Sequence, residues 1–182
     1  MKLDANILVV GGGPAGATAA RLLAQNGKDI ILLEKNLSYA KPCGGGLALS
    51  AFDEFDIPRT FIKKKVSGLR LISPKGERVE IGLNDYALTI VERKEFDKGL
   101  REKAKVQGAR VLEGEFLRVL DDKRCIIEAL IGKEKVQIVS EYIIAADGVN
   151  SRVRASLGIN PSPSLFTASE MIKGSNIDIC EF

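Results

Sequence analysis

The sequence contains no histidine and no tryptophan among its 182 residues. The lack of histidine excludes Ser-His-Asp and Cys-His catalysis within the chain, because both mechanisms use imidazole as the general base. Acid–base chemistry must therefore come from cysteine, tyrosine, lysine, a carboxylate or water. Aromatic residues make up only 5%, and the formal net charge is only +3. Basic and acidic residues are interspersed, so we expect no nucleic-acid binding.

Cysteine and long apolar runs are equally scarce. Cys43, Cys125 and Cys180 are odd in number and far apart, which matches neither a disulfide framework nor a close-spaced zinc site. We therefore predict no metal site and a reducing, cytoplasmic location. No apolar run approaches the roughly 18 residues of a membrane-spanning helix, and residues 1–4 show no secretory signal. The one basic run, Lys63 to Lys65, is predicted to be a solvated turn.

The first 34 residues predict a strand, a helix and a second strand. Residues 5–10 form an apolar, β-branched run, residues 15–26 have helical periodicity, and residues 29–34 are apolar again. In the helix, Ala19, Leu22 and Leu23 are predicted to form the inward-facing stripe. A βαβ unit of this length is typical of a parallel sheet.

The remaining chain predicts further strands and two more helices. Up to residue 112 we expect a loop at 39–49, a hairpin of 66–72 with 78–83, a strand at 85–91, a helix from Phe96 to Gly108 and a strand at 110–112. An antiparallel meander over 114–140 and a strand at 142–146 that rejoins the main sheet should follow. The chain should end with a helix over 152–157 capped by Ser151, a linker at 160–164, and a last strand at 177–179 whose partners are absent. The fold class is therefore α/β, with a parallel sheet and a β-meander.

A glycine-rich loop joins the first strand to the first helix. Gly11, Gly13 and Gly16 give the spacing G-x-G-x-x-G, in which glycine permits a tight turn, the approach of a pyrophosphate, and close packing of the helix. Pro14 and Ala15 lie within this loop, where the unpaired amides of a helix start face phosphate. Glu34, followed by Lys35, ends the second strand, where an acidic residue binds adenosine ribose. These residues predict a dinucleotide site.

A second segment favours FAD over NAD. Residues 146–154 follow an apolar strand and resemble the A-D-G-x-x-S-x-V-R motif of glutathione-reductase-type flavoproteins, which include aromatic hydroxylases and geranylgeranyl reductases. The resemblance implies a Rossmann-like FAD-binding domain. It also implies that Asp147 and Gly148 lie against the pyrophosphate and ribityl part of FAD. Arg93, shortly before Phe96-Asp97, resembles the arginine that contacts the flavin nucleotide in these families.

The loop after the second strand narrows the resemblance. Pro42 is followed by Cys43, Gly44, Gly45 and Gly46, and this run resembles the P-C-G-G-G segment of geranylgeranyl reductases, including archaeal enzymes that saturate membrane lipids. The resemblance places the loop near the isoalloxazine ring. Cys43 would face the flavin and is the candidate catalytic residue, as thiol, thiolate or redox partner.

The resemblance also implies a domain organisation. Residues 1–160 would form the FAD-binding domain, with the hairpin insertion at 61–90 belonging to the substrate side. Residues 161–182 would be a linker and the start of a substrate domain that is mostly absent. Members of these families continue with a second Gly-Asp motif and a substrate-binding sheet, and neither is visible in this sequence.

The function implied is FAD-dependent reduction of carbon–carbon double bonds in geranylgeranyl or polyprenyl chains, on membrane lipids. A hydride from reduced flavin would reach one alkene carbon, and Cys43, a tyrosine or water would protonate the other. The electron donor would be ferredoxin, NAD(P)H or coenzyme F420, and contact with the membrane would be peripheral. Two alternatives stay open: a flavin monooxygenase or halogenase of the same fold, and an inactive FAD-binding fragment.

Overall fold

The computed structural model describes residues 1–83, 87–161, 163–168 and 179–181. The chain divides into two compact units. The first contains Met1–Tyr39 and Asp97–Phe166, and the second contains Ala40–Phe96 and Thr167–Phe182. The predicted insertion, residues 61–90, lies within the second unit, and its assignment to a substrate side stays a prediction.

The elements follow in this order: β1 (Lys2–Val10), α1 (Pro14–Gln25), β2 (Ile30–Glu34), β3 (Gly46–Ala48), α2 (Ser50–Glu54), a short 3-10 helix (Arg59–Phe61), β4 (Ile62–Val66), β5 (Gly68–Ile72), β6 (Arg78–Gly82), β7 (Leu88–Val91), α3 (Arg93–Val106), β8 (Arg110–Glu113), β9 (Glu115–Asp121), β10 (Ile126–Ile131), β11 (Glu134–Ala145), α4 (Arg152–Ser156) and β12 (Ile179–Glu181). None of the helices in the described part of the chain is long and apolar enough to cross a membrane.

The first unit is built on a six-stranded sheet in the order β8-β2-β1-β11-β10-β9. The strands β8, β2, β1 and β11 are parallel to one another, whereas β11, β10 and β9 form an antiparallel meander. The predicted α/β fold, with a parallel half and a meander, is confirmed. The carboxyl ends of β1 and β2 therefore lie side by side, where ligands bind in open α/β sheets.

The third strand of the meander is longer than predicted. The sequence suggested a break between residues 140 and 142, but β11 continues through it, pairing antiparallel with β10 and parallel with β1. Val136, Ile138 and Ser140 are buried at every second position, as in a strand, and pairing with β1 carries the strand past them, with Ser140 opposite Ala5 and Tyr142 opposite Ile7. The Ser140 hydroxyl is buried without a hydrogen-bond partner among the described residues.

The inward face of α1 differs from the predicted stripe. Leu22 is 42% exposed, whereas Ala17 and Ala20 are fully buried; the buried residues of the helix are Gly16, Ala17, Ala20, Arg21 and Ala24. Small side chains face inward because the helix lies close to the strands, as the glycine loop requires. The stripe was predicted from hydrophobicity alone, and Leu22 instead lies on the exposed side of the helix.

One cluster of core side chains in the first unit lies on one face of the sheet, while Val9, Ile30 and Leu32 are buried on the other face. This cluster consists of Leu8, Val10, Ile31, Leu33, Phe116, Ile127, Ala129, Val136, Ile138 and Val153. Burial of each large aliphatic side chain contributes about 1.5–3 kcal/mol relative to exposure. These contacts hold the ends of β1 and β2 in fixed positions.

The second unit contains two three-stranded sheets, in the orders β12-β5-β6 and β3-β7-β4. The predicted β5–β6 hairpin is confirmed. Three expectations were wrong: the loop at 39–49 contains β3, the run Lys63 to Lys65 lies in β4, and the last strand has a partner, because β12 pairs with β5. Parts of the predicted strands, residues 84–86 and 177–178, lie outside the described residues, as does residue 162 of the predicted linker.

Candidate functional site

The glycine loop between β1 and α1 is shaped by close contacts of its own backbone. Gly11 has a φ of +103°, and a Cβ there would lie 2.4 Å from the Ala146 carbonyl oxygen. A Cβ at Gly16 would lie 1.9 Å from the Gly11 carbonyl oxygen. Both positions therefore require glycine for the fold itself.

Gly13 is different, because a Cβ there would meet nothing within 4 Å. Its φ of −71° and ψ of −176° are accessible to any residue, so the protein alone does not demand glycine. Gly13 is also the N-cap of α1. In this described part of the chain, no side chain caps the helix and the first turn contains no acidic residue. Pro14 begins the helix and Ala15 is exposed. The free space and the uncapped helix start suit a phosphate group.

Glu34 lies beside this loop at the end of β2. Its Oε2 accepts a hydrogen bond of 2.6 Å from the Gly12 amide, and its Oε1 accepts one of 3.0 Å from the Asn36 amide. Each carboxylate oxygen has a second acceptor position, so Glu34 is held in place and still able to bind hydroxyl groups. Sequence reasoning missed Gly12, where a Cβ would lie 2.8 Å from the Glu34 Cβ.

A cleft of about 190 Å³ adjoins Glu34. It is lined by Val10, Gly11, Leu33, Glu34, Lys35, Gly114, Glu115, Phe116, Asp147, Asn150 and Arg152. At its rim Glu115 accepts a 2.9 Å hydrogen bond from Lys35 and forms an ion pair with Arg152. The Lys35 hydrogen bond lowers the pKa of Glu115, with further lowering from Arg152. Lys35 was predicted, but Glu115 and Arg152 were not, since no spacing in the sequence connects them.

Asp147 lines the same cleft and binds the first amides of α4. Its carboxylate accepts hydrogen bonds from the Ser151 hydroxyl at 2.5 Å, the Arg152 amide at 2.7 Å and the Val153 amide at 3.2 Å. The Ser151 hydroxyl in turn accepts from the Arg154 amide at 3.0 Å, which confirms the predicted helix cap. Gly148 is exposed. The predicted contact of Asp147 and Gly148 with a pyrophosphate stays a prediction.

In the second unit, a cavity of about 580 Å³ lies along the Cys43 loop. It is lined by Ala40, Lys41, Pro42, Cys43, Gly44, Lys63, Ile90, Val91, Glu92 and Arg93. Gly45 has a φ of +73°, and a Cβ there would lie 2.1 Å from the Val91 carbonyl oxygen. A Cβ at Gly44 would meet nothing, whereas Gly46 belongs to β3. Gly45 therefore ties the loop to β7, and Gly44 keeps the cavity open.

Cys43 is exposed at this cavity and faces cationic groups. A hydrogen bond from the Gly45 amide is the main cause that lowers the pKa of its thiol; partial burial opposes it, and the Arg93 guanidinium and Lys41 lower the pKa further. Arg93 opens α3, which Glu92 caps by accepting hydrogen bonds from the Lys94 and Glu95 amides at 2.9 and 2.8 Å. The pKa of the thiol therefore lies below that of an ordinary cysteine, and the thiol borders an open, partly basic cavity.

The structure thus assembles the predicted residues in two groups. The first unit holds Gly11, Gly13, Pro14, Ala15, Gly16, Glu34, Lys35, Asp147 and Gly148. The second holds Cys43, Gly44, Gly45, Gly46 and Arg93. The roles of all these residues in binding or catalysis stay predictions.

Comparison with known families matches this geometry. The family described as FAD binding domain matches residues 4–173. The chain belongs to this family. FAD is the cofactor of this FAD-binding domain, and the residues present fit it, since the open space at Gly13 and the uncapped start of α1 suit its diphosphate and Glu34 suits a ribose.

The FAD-binding domain is also similar to prenyl reductases, as the resemblance predicted. It is 37% identical to the geranylgeranyl diphosphate reductase of Rhodobacter capsulatus, over 95% of this chain and 44% of that protein. It is 33% identical to digeranylgeranylglycerophospholipid reductase 1 of Methanothermobacter thermautotrophicus, over 88% of this chain and 43% of that protein. The chain therefore spans less than half the length of these two relatives.

Solved structures agree with this relationship. The crystal structure of a geranylgeranyl bacteriochlorophyll reductase-like protein from Thermoplasma acidophilum superposes with a TM-score of 0.80 at 30% identity, over 87% of this chain and 43% of that one. Flavin-dependent halogenases and aromatic hydroxylases also match, at 18–24% identity. The halogenases and hydroxylases share the fold alone with the FAD-binding domain.

Proposed function

We propose that this chain is the cofactor-binding part of a FAD-dependent reductase that saturates carbon–carbon double bonds in geranylgeranyl or other polyprenyl chains. The observation that carries the proposal is the higher identity to prenyl reductases than to halogenases and hydroxylases. The Cys43 loop, which resembles the P-C-G-G-G segment of those reductases, also supports it.

We assign the dinucleotide to the first unit. The diphosphate of FAD lies at the loop from Gly11 to Gly16, where helix amides are uncapped, and Glu34 binds ribose hydroxyls with its remaining acceptor positions. Lys35 borders the cleft next to Glu34. Asp147 and Gly148 complete the site on the side of α4.

We assign the chemistry of the alkene to the second unit. FAD, when reduced, supplies a hydride to one carbon of the double bond. The other carbon needs a proton, which the Cys43 thiol donates, becoming a thiolate that Arg93 and the Gly45 amide stabilise. Water then reprotonates the thiolate. Gly44 leaves the cavity open toward this thiol.

The partners of the proposed enzyme follow from this chemistry. The substrate is a polyprenyl lipid, and the electron donor is ferredoxin, NAD(P)H or coenzyme F420. A lipid substrate requires peripheral contact with a membrane, and we propose a cytoplasmic location. The substrate assignment rests on the named activities of the relatives and on the apolar nature of a prenyl chain.

The test is reduction of a defined lipid by the full-length protein. The protein is incubated anaerobically with FAD, dithionite and a geranylgeranyl lipid, and the products are measured by mass spectrometry. We expect a gain of two hydrogens for each saturated double bond. Bleaching of the flavin absorption band proves that the flavin was reduced. If the lipid is unchanged although the flavin was reduced, the proposal is refuted. Cys43→Ser should retain flavin reduction and lose most of the lipid reduction.

A flavin monooxygenase or halogenase is the second candidate, favoured only by the shared fold. It predicts rapid oxygen consumption that depends on NAD(P)H and substrate. A third candidate is an inactive FAD-binding fragment. It predicts weak or absent retention of FAD by the isolated chain, with neither lipid reduction nor substrate-dependent oxygen uptake.

A further inference from the structure

Arg101 is a buried arginine in α3 that the site described above does not use. Its side chain is only 5% exposed. Nη1 donates a 3.0 Å hydrogen bond to the Gly12 carbonyl oxygen, and Nη2 donates a 2.7 Å hydrogen bond to the Leu37 carbonyl oxygen. Within the described residues its acceptors are thus backbone carbonyls rather than carboxylates. Burying such a charge is costly, so its position needs an explanation.

Gly12 is held from both sides by opposite charges. Its N–H donates to the Glu34 carboxylate at 2.6 Å, and its C=O accepts from the Arg101 guanidinium. A Cβ at Gly12 would lie 2.8 Å from the Glu34 Cβ and 3.0 Å from the Arg101 Cδ. The peptide units before and after Gly12 are therefore both fixed by side chains from distant parts of the chain.

The bond to Gly12 determines where the next amide points. In a trans peptide the C=O of Gly12 and the N–H of Gly13 point in opposite directions, and the described residues contain no cis peptide bond. Arg101 therefore directs the Gly13 N–H away from itself. A cation on the carbonyl also polarises the peptide unit and makes its N–H a stronger donor. Gly13 is the residue with open space for a phosphate.

The second bond of Arg101 holds the segment that follows Glu34. Leu37 lies three residues after Glu34, and its amide also donates to Glu113 at 3.4 Å. One buried side chain thus connects the phosphate loop to the segment beyond the ribose-binding carboxylate. No other residue of the proposed site forms both of these contacts among the described residues.

We infer that Arg101 is a positioning residue of the dinucleotide site: its guanidinium fixes the Gly12–Gly13 peptide and the Leu37 segment so that the loop presents its amides to the diphosphate. The inference rests on the proposed location of FAD. The buried positive charge next to the loop also favours an anionic ligand there. Arg101 acts through the backbone rather than by contact with the cofactor.

The test compares Arg101→Met with Arg101→Lys in the 182-residue chain by amide hydrogen exchange, which needs no cofactor. We expect Arg101→Met to accelerate exchange about tenfold in residues 11–16 and 36–39, since hydrogen bonds to a charged donor are lost, and to leave β10 unchanged. Arg101→Lys should give an intermediate rate, because an ammonium keeps the charge and reaches one carbonyl. The matched control is Arg110→Met, which removes an arginine bonded to Asp4 and Asp29.

Equal acceleration in the loop and in β10, or no acceleration in either, would overturn the inference. Titration with FAD gives the second readout: Arg101→Met should weaken binding about tenfold, and Arg101→Lys should restore part of it. Equal FAD affinity of wild type and Arg101→Met would also overturn it. Failure of the wild-type chain to bind FAD would instead count against the proposed site, while the exchange data still decide the role of Arg101.

Discussion

In the glycine loop, Gly16 is required by the packing of the fold, whereas Gly13 leaves space for a ligand, and alanine substitution separates the two roles. Gly16→Ala would place its Cβ 1.9 Å from the Gly11 carbonyl oxygen, so we expect a loss of more than about 2 kcal/mol in the free energy of unfolding. Gly13→Ala meets open space and an ordinary φ, so we expect a loss below about 1 kcal/mol. Urea unfolding followed by circular dichroism measures both.

The same two variants separate packing from ligand approach. Gly13→Ala should weaken FAD binding about tenfold or more, because its methyl group occupies the space left for the diphosphate. Binding of FAD by Gly13→Ala with unchanged affinity would show that the phosphate lies elsewhere.

The Cys43 thiol offers a pH-dependent test. Its pKa is lowered by the Gly45 amide and by Arg93, and the thiolate is the form that reacts with iodoacetamide. The alkylation rate of Cys43 should therefore reach half its maximum at a lower pH than that of an ordinary thiol such as glutathione. Arg93→Gln removes one cause of the shift, so the midpoint should move to higher pH. Peptide-resolved mass spectrometry separates Cys43 from Cys125 and Cys180.

An unchanged midpoint in Arg93→Gln would mean that the arginine does not act on this thiol. The control is Arg59→Gln, which removes a guanidinium bonded to Asp53 and should leave the midpoint of Cys43 where it is.

At the scale of residues, the sequence predicted local features and missed distant ones. Gly11, Gly16 and Glu34 were recognisable because a strand, a loop and a helix place them at fixed spacing. Arg101 is 89 positions away from Gly12, and nothing in a helical arginine indicates that it is buried. The ion pair of Glu115 with Arg152 was missed for the same reason.

At the scale of elements, most strands and helices of the first unit were predictable from apolar runs and glycine boundaries. The errors have physical causes. Polar residues near position 141 suggested that the strand β11 ends there, but β11 pairs with both β1 and β10, and this pairing keeps it extended through the polar residues. The three lysines of β4 suggested a turn, yet Lys63 pairs with Glu95 at 2.6 Å and Val66 is buried. The strand pairs β12–β5, β3–β7 and β4–β7 of the second unit join segments that are far apart in the sequence, so local sequence patterns do not predict them.

The start of α4 provides an element-scale prediction. Asp147 accepts three hydrogen bonds from Ser151, Arg152 and Val153, so Asp147→Ala should lower the free energy of unfolding by about 2 kcal/mol. Ser151→Ala should lower it by about 1 kcal/mol, because its hydroxyl caps one amide. Urea titrations measure both values. The control Asp122→Ala, an exposed aspartate between β9 and β10, should change stability by less than about 0.5 kcal/mol.

The same variants test what Asp147 does for the cofactor. If Asp147 contributes only through α4, then Ser151→Ala and Asp147→Ala should weaken FAD binding in proportion to their effects on stability. A much larger loss of FAD binding in Asp147→Ala would support its predicted contact with the cofactor.

At the scale of the whole molecule, the two units contribute different chemistry. The first contains the loop, the carboxylate and the buried arginine that suit a dinucleotide, and its sheet has a continuous apolar core. The second contains the thiol, the open cavity and two small sheets. Because the proposed contacts with the diphosphate and the adenosine ribose, the glycine loop and Glu34, belong to the first unit, FAD should stabilise that unit in particular.

This consequence can be measured by ligand-linked stability. A ligand that binds only the folded state stabilises it by about 2.7 kcal/mol at a concentration of 100 times its dissociation constant. We expect FAD and ADP to raise the urea midpoint of the 182-residue chain and to slow amide exchange in β1, β2 and β11. FMN lacks the adenosine and one phosphate, so it should have little effect.

Glu34→Gln should reduce the effect of FAD, because it removes the charge that accepts ribose hydroxyls. Equal stabilisation by FMN and FAD would place the binding energy at the flavin and contradict a dinucleotide site built from the glycine loop and Glu34.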